Sequence, residues 1–168
     1  YVTHVVQAGI GLPDESYYRE EQFAPIREAY EAHVATMLTL AGIADPEAAA
    51  ARVIALETGI ASHHWDRVAC RDAQKTYNLM TTTQYAALAP AFDWSAWAGA
   101  ADIDLAVIAE AVVSQPSYLE GLQTLLTDDL LPSWRDWLRW QLVHGAAPYL
   151  SDAFVQANFD FYGRTLQG

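Results

Sequence analysis

Residues 23–42, FAPIREAYEAHVATMLTLAG, predict one long helix. Their apolar side chains recur every three or four positions, which places them on one helical face. The members of this face are Phe23, Ile26, Tyr30, Val34, Met37 and Ala41. Gly42 directly follows the last of them and supplies a stop signal. We therefore expect helices to dominate the fold.

Further helices are predicted on both sides of the middle of the chain. Asp45 and Pro46 form an N-cap and first-turn pair for a second helix, which turns Val53, Leu56 and Ile60 inward and runs toward residues 63–64. Thr81 followed by Gln84 fits a capping box for a short helix closed by Pro90. The remaining helical segments are one or two turns in FDWSAWAGA (residues 92–100), residues 116–127, a helix from about residue 132, and one from Pro148 to about Gly163.

Two short strands complete the predicted fold. Residues 1–7, YVTHVVQ, alternate and are β-branched, and residues 108–114, IAEAVVS, form the second strand candidate. We expect the first strand to pair with residues 111–113, because an unpaired strand edge exposes backbone donors and acceptors. Residues 71–80, RDAQKTYNLM, are polar and turn-like. The expected class is mainly α, an irregular helical bundle with two short β-strands, with residues 1–168 as a single fragment.

Composition excludes several functions. The chain has 168 residues, a 52% hydrophobic fraction and a formal charge of −12, and such a field repels nucleic-acid backbones and anionic lipid surfaces. No apolar run approaches the ~20 residues needed to cross a bilayer. The single Cys70 excludes an intrachain disulfide. Because the chain begins with Tyr1, we expect an excised soluble segment whose parent is either cytoplasmic or exported.

A metal site is the first catalytic possibility, because His63, His64 and Asp66 lie within four residues. A protease zinc site needs the pattern H-E-x-x-H, and no histidine here is followed by glutamate. Neighbouring side chains on a helix point about 100° apart, so the two imidazoles do not easily share a metal. A metal site formed by one of these imidazoles with Asp66 or His144 stays open as an alternative. The favoured interpretation is a helix end, where histidine caps carbonyl groups and Trp65 packs inward.

The other reactive residues also have structural interpretations. No serine lies in a G-x-S-x-G motif. Nearby arginines could lower the pKa of Cys70, but nothing else indicates catalysis there, and an ordinary thiol is favoured. The cluster WRDWLRW (residues 134–140) is more typical of a core or a docking face than of a ligand platform. Glu57 lies near the apolar face of its helix, so we expect it to be partly buried and paired with an arginine. The sequence thus predicts no catalytic, cofactor-binding or metal-ligating residue.

Five segments, in order, resemble the neprilysin-type zinc metallopeptidases, the family that includes endothelin-converting enzyme. They are THVVQAGIGLPDESYY (3–18), VIALETGIA (53–61), RDAQKTYNLMTTTQYAALAPAFDW (71–94), VVSQPSYLEGLQTLL (112–126) and residues 131–168. The resemblance covers essentially the whole chain. Its single-cysteine form is similar to bacterial members rather than to the disulfide-rich vertebrate ones.

The resemblance implies a non-catalytic role for this segment. Family members carry H-E-x-x-H, a downstream glutamate ligand and an Asn-Ala-Tyr segment in a C-terminal catalytic region, and none of these motifs occurs here. The implied role is part of a helical N-terminal lid that walls the substrate chamber and restricts access to small peptides, with zinc only in the catalytic domain of the parent. The implied partners are that catalytic domain and small peptide substrates. Two alternatives remain: an independent helical protein-interaction module, or an enzyme with a metal at His63, Asp66 and His144.

Overall fold

The computed structural model describes residues 2–168, which form eight α-helices and a small sheet. The helices are α1 (Ser16–Arg19), α2 (Ala24–Leu40), α3 (Pro46–Ala61), α4 (Thr82–Leu88), α5 (Trp94–Ala100), α6 (Pro116–Leu122), α7 (Leu131–Ala146) and α8 (Asp152–Phe159). The strands are β1 (Thr3–Val5), β2 (Leu79–Thr81) and β3 (Glu110–Val113). Short 3₁₀ turns join several elements, and a π-helix, Asp160–Thr165, follows α8. The mainly helical class is confirmed.

The main core lies where α2, α3, α7 and α8 pack together. The apolar face predicted for residues 23–42 provides Tyr30, Val34 and Met37, all fully buried, and α7 adds Trp140. Helix α3 begins at Pro46 as predicted, but Asp45 adopts left-handed backbone angles and its carboxylate caps nothing. The start of α3 therefore depends on the proline and on packing rather than on the predicted side-chain cap.

The sheet has the strand order β1-β3-β2. Strand β1 runs parallel to β3, with Thr3 opposite Ala111 and Val5 opposite Val113, which confirms the predicted pairing. The structure adds a third strand, β2, antiparallel to β3, inside the segment that was predicted to be turn-like. A strand of three residues is too short to show the alternation of side chains that predicts a strand. Strand β2 forms because β3 offers it a free backbone edge.

A second, smaller core lies between this sheet and helices α3, α4 and α6. The predicted capping box of Thr81 and Gln84 is present at the start of α4, where the Thr81 N–H donates to Gln84 Oε1 over 2.8 Å. Helix α6 ends at Leu122 rather than at Thr127, because the chain tightens into a 3₁₀ turn over Gln123–Leu125. Helix α8 begins at Asp152 rather than at Pro148, because Leu150 is extended after the 3₁₀ turn Ala147–Tyr149.

Candidate functional site

A concave surface lies where the loop of residues 7–15 meets residues 62–71, after the end of α3. Two adjoining clefts, of about 490 Å³ and about 440 Å³, open there. His64 and Glu15 line both clefts. Concave surfaces of this size are the default place to look for a binding or active site.

The loop is held in place by a buried carboxylate. Glu57 on α3 is 0% exposed. Its Oε2 accepts hydrogen bonds from the Tyr18 hydroxyl at 2.6 Å and from the Gly11 N–H at 3.1 Å. Its Oε1 accepts one from the Tyr30 hydroxyl at 3.2 Å. Glu57 therefore joins the loop, α1 and α2 to α3.

The burial predicted for Glu57 is confirmed, but the predicted arginine partner is wrong. Within residues 2–168 no arginine forms an ion pair or a hydrogen bond with this carboxylate. Neutral donors satisfy both oxygens instead, so no second charge has to be buried beside it. Desolvation raises the pKa of Glu57 to about 6, although the hydrogen bonds from Tyr18, Gly11 and Tyr30 oppose that rise. Desolvation, with the Glu57 charge second, also raises the pKa of Tyr18 and Tyr30.

Two glycines let the loop approach this cluster closely. Gly9 has a φ of 94°, which other residues rarely adopt. A Cβ atom at Gly11 would overlap the Tyr30 hydroxyl. The carbonyl of Gly9 accepts from Trp137 Nε1 at 3.2 Å, and that of Gly11 accepts from the Tyr162 hydroxyl at 3.2 Å. The glycines thus serve close packing of the backbone in the folded chain.

The two adjacent histidines face different neighbours. His63 packs against Gly121 of α6, where a Cβ atom would overlap its ring. His64 donates from Nε2 to the Ala8 carbonyl at 3.1 Å, since a carbonyl oxygen can only accept. Burial lowers the pKa of His64, which favours the neutral ring. The sequence predicted that histidine caps the carbonyl groups at the end of its own helix. His64 instead anchors the loop of residues 7–15.

The remaining metal candidates have structural contacts of their own. Asp66 accepts from the Ala69 N–H at 2.7 Å and closes a local turn. His144 lies in the main core, with ring centroids 5.1 Å from Trp140 and 5.0 Å from Tyr162. Across residues 2–168, no three histidine, cysteine, aspartate or glutamate side chains are placed to hold a metal ion together. The proposed combination of His63, Asp66 and His144 is thus not assembled.

Cys70 lies on the wall of the larger cleft with an ordinary thiol. The amides of Gln7 and Gln115 approach its sulfur at 3.5 and 3.7 Å. Burial is the main effect and raises the thiol pKa. The neighbouring arginines do not reverse it, so the direction of the shift favours an ordinary thiol over a thiolate. Nucleophilic catalysis by cysteine needs the thiolate, which a raised thiol pKa disfavours.

The charges around the larger cleft are partly paired. Arg67 forms an ion pair with Asp14 at 2.7 Å, and Glu15 pairs with Arg19 at 3.0 Å. Arg71 also lines the cleft. These groups can bind and orient polar backbone or side-chain groups. They do not form the nucleophile and base pair that acyl-transfer chemistry requires.

The tryptophans of α7 are structural. Trp134 Nε1 donates to the Leu125 carbonyl at 2.7 Å, and Trp140 Nε1 donates to the Tyr30 hydroxyl at 3.0 Å. Trp137 donates to the Gly9 carbonyl, as described above. All three indole N–H groups are therefore occupied inside the fold, which agrees with the core interpretation of WRDWLRW.

The sequence did not identify the tyrosines that satisfy Glu57. The sequence placed Tyr30 on the apolar face of its helix, and nothing in it indicated a partner for the hydroxyl group. Tyr18 and Gly11 lie 39 and 46 residues from Glu57 along the chain. A buried carboxylate together with a tyrosine on the inner face of a second helix is the one signal that could have suggested this contact.

Comparison with known proteins places the whole chain in one group. The model for Peptidase family M13 matches residues 1–168. Endothelin-converting enzyme 1 of Cavia porcellus is 27% identical over an alignment of 168 residues, which covers 95% of this chain and 22% of that protein.

Solved structures give a closer match. The cryo-EM structure of the Mycobacterium tuberculosis zinc metalloprotease Zmp1 in an open state is 43% identical, with a TM-score of 0.94 over 100% of this chain and 26% of that one. The crystal structure of the same protein with an inhibitor is 43% identical, with a TM-score of 0.92 over 99% of this chain and 26% of that one. The chain thus spans about a quarter of the proteins it matches.

Proposed function

This chain belongs to peptidase family M13, and on that premise we propose that residues 1–168 are a single fragment of the helical N-terminal lid of a zinc metalloendopeptidase. In the parent protein the segment walls the substrate chamber and restricts access to small peptides. The observation that carries the proposal is the match of the entire chain to a quarter of Zmp1 at 43% identity.

The catalytic zinc of such a parent belongs outside this segment. The donor set needed to hold it is not assembled within residues 2–168, which supports placing the chemistry elsewhere in the parent. The partners proposed for the segment are the catalytic domain of the same parent chain and the peptides enclosed between them. No helix in residues 2–168 is long and apolar enough to cross a membrane.

A wall must keep its shape when substrate is enclosed, and the Glu57 cluster supports this. It joins three helices and the 7–15 loop through hydrogen bonds from Tyr18, Gly11 and Tyr30. His64 ties the same loop to the end of α3. The contribution of the segment to catalysis is then exclusion of water and selection by size rather than proton transfer.

The experiment uses the parent polypeptide and two substrates that share one cleavable sequence, a short quenched fluorogenic peptide and a long unfolded polypeptide. Glu57→Ala weakens the wall, and Glu28→Ala, an exposed glutamate on α2, is the control. We expect the parent to bind zinc and to favour the short peptide. We also expect Glu57→Ala alone to raise the rate on the long substrate relative to the short one.

The outcomes separate the two parts of the proposal. A parent that binds no zinc and cleaves neither substrate contradicts the assignment as a metalloendopeptidase. A parent that cleaves the short peptide, with the same ratio of rates in the Glu57→Ala protein, contradicts the walling role.

A further inference from the structure

Two histidines lie in the main core where the end of the chain packs against α2 and α7. We name α8 and the π-helix that follows it, residues 152–165, the terminal segment. His33 on α2 stacks on Phe161 of this segment, with ring centroids 4.9 Å apart and an angle of 11° between the planes. His144 on α7 packs against Tyr162, with centroids 5.0 Å apart. The imidazole rings therefore form the seam between the core helices and the terminal segment.

The buried nitrogen atoms at this seam lack hydrogen-bond partners. His33 is 6% exposed. Within residues 2–168, no polar atom is placed to form a hydrogen bond with His33 Nε2 or with His144 Nδ1. A neutral imidazole tolerates this at its unprotonated nitrogen, which is only an acceptor. A proton added at His33 Nε2 would bury a charge and a donor that has no acceptor. The seam thus suits a neutral His33.

The terminal segment is attached mainly by the packing of its side chains. Within Asp152–Phe159 no residue is buried, and the π-helix buries Phe161 at 4% exposure. A hydrogen bond from the Tyr162 hydroxyl to the Gly11 carbonyl, at 3.2 Å, joins the segment to the loop of residues 7–15. The attachment therefore depends on the rings that surround His33.

The groups around the seam do little to compensate a charge on His33. Burial raises the pKa of Tyr30 and of Tyr162, so both stay neutral at acidic pH. Asp160 lines a cavity together with His33, but it is paired with an arginine of its own segment. The titratable groups on the elements that meet here are Tyr30 on α2, Glu57 on α3, His144 on α7, and Asp160, Tyr162 and Arg164 on the terminal segment.

We propose that His33 is an acid-sensitive latch, whose protonation shifts the terminal segment toward an open state while the rest of the fold persists. Opening also removes the Tyr162 hydrogen bond from Gly11, so that acid loosens the loop that borders the candidate clefts. The inference does not depend on the proposed function, because every group that it uses lies within residues 2–168.

The direction of the pH dependence follows from the burial of the ring. Burial, with His144 second, lowers the pKa of His33 from 6.5 to about 4. In the open state the ring regains its ordinary pKa and binds a proton that the closed state excludes. Closure is therefore strongest above about pH 6.5 and weakens as the pH falls toward 4. For these two pKa values, the ratio of open to closed segment rises about twentyfold between pH 7 and pH 5.

Hydrogen–deuterium exchange of the 168-residue chain at pH 7 and pH 5 tests the latch. The exchange rate of each backbone N–H is divided by the rate of the unfolded chain at the same pH, which leaves the protection by structure. We expect protection of the terminal segment to fall by about twentyfold at pH 5. Protection of α3 should fall less, since protonation of Glu57 favours the fold at acidic pH.

Variants assign the effect to one ring. His33→Phe keeps a ring at the seam but does not titrate, and His33→Gln is the second non-titrating variant in case phenylalanine disturbs the packing. Each should reduce the fall in protection to less than about fivefold. His4→Phe, at an exposed position of β1, is the control and should keep the full fall.

Three outcomes overturn the inference. Equal protection of the terminal segment at pH 7 and pH 5 shows that no latch opens. An equal loss of protection in α3 and in the terminal segment shows that the whole fold opens instead. A full fall in both His33 variants assigns the pH dependence to another group.

Discussion

Helices α2 and α7 both pack against α3, and each buries an aromatic residue, Tyr30 or Trp140, in the same core. Their outward faces differ. Helix α2 exposes glutamate and threonine at Glu28, Glu31 and Thr36, whereas α7 exposes Leu138 and Leu142 beside two arginines. Glutamate and threonine suit a helix surface in water, whereas exposed leucines leave apolar area in contact with water. The inward faces of the two helices are alike because they form one core. Their outward faces are free to differ.

The largest expected effect tests whether the inward faces are equivalent. Met37 on α2 and Trp140 on α7 are both 0% exposed. We expect Met37→Ala to lower the free energy of unfolding of the 168-residue chain by about 2–5 kcal/mol and Trp140→Ala by about 3–5 kcal/mol, because each leaves a cavity. Urea denaturation followed by circular dichroism measures both. A Trp140→Ala variant as stable as the unaltered chain would show that α7 is not part of the core.

The next effect concerns α3, the helix between the two. Glu57→Ala leaves the Tyr18 hydroxyl, the Tyr30 hydroxyl and the Gly11 N–H without their acceptor. We expect a loss of free energy of unfolding on the order of 3 kcal/mol. Glu28→Ala on the exposed side of α2 is the matched control and should change stability by less than about 0.5 kcal/mol. Equal denaturation midpoints for the two variants would contradict the buried cluster.

A pH dependence follows from the same carboxylate. The fold raises the pKa of Glu57 from 4.5 to about 6. Folding therefore favours the protonated group, and this contribution to stability is fully present below about pH 4.5 and lost as the pH rises through about 6. The glutamine of Glu57→Gln does not titrate. Relative to that variant, the unaltered chain should lose about 2 kcal/mol between these limits.

Taking the difference between the two proteins cancels the other titrating groups, including His33. Burial, with His144 second, lowers the pKa of His33 to about 4, so its contribution to stability is lost as the pH falls. Denaturation curves at several pH values measure the difference. A constant difference in unfolding free energy would show that Glu57 keeps an ordinary pKa in the fold.

The smallest effect sharpens the contrast between the outward faces. In the 168-residue chain, Leu142→Gln and Thr36→Gln should each change the free energy of unfolding by less than about 0.5 kcal/mol, because neither position is buried. Urea denaturation followed by circular dichroism measures both variants. If Leu142→Gln costs several times more than Thr36→Gln, the leucine belongs to the core of this segment rather than to its outward face.

Local patterns predicted much of the fold. The three-to-four-residue spacing identified α2, and the Asp45-Pro46 pair correctly marked the start of α3. The resemblance to the neprilysin and endothelin-converting enzyme family is confirmed, with solved structures of a bacterial member 43% identical to this chain. These signals are local or depend on ordered motifs, so they are visible in the chain without coordinates.

The features that the sequence did not predict depend on contacts between residues that are distant in the chain. Strand β2 was missed because three residues carry no period, and the edge of β3 that recruits it lies about thirty residues later in the chain. The capping role of Asp45 was wrong because its left-handed backbone turns the carboxylate away from the first turn. The expectation that this chain carries no catalytic, cofactor-binding or metal-ligating residue stays a prediction.

The sequence by itself determined that this chain is acidic, mainly helical and centred on amphipathic helices, because periodicity and charge are properties of neighbouring residues. It also determined that Glu57 is buried, since Val53 and Ile60 share its helical face. Only the tertiary structure decided that tyrosine hydroxyls and a glycine N–H replace the expected arginine. The same structure turned the tryptophans of α7 inward and its leucines outward. Hydrogen bonds and burial between residues far apart in the chain depend on how helices meet, and that geometry is set only when the core packs.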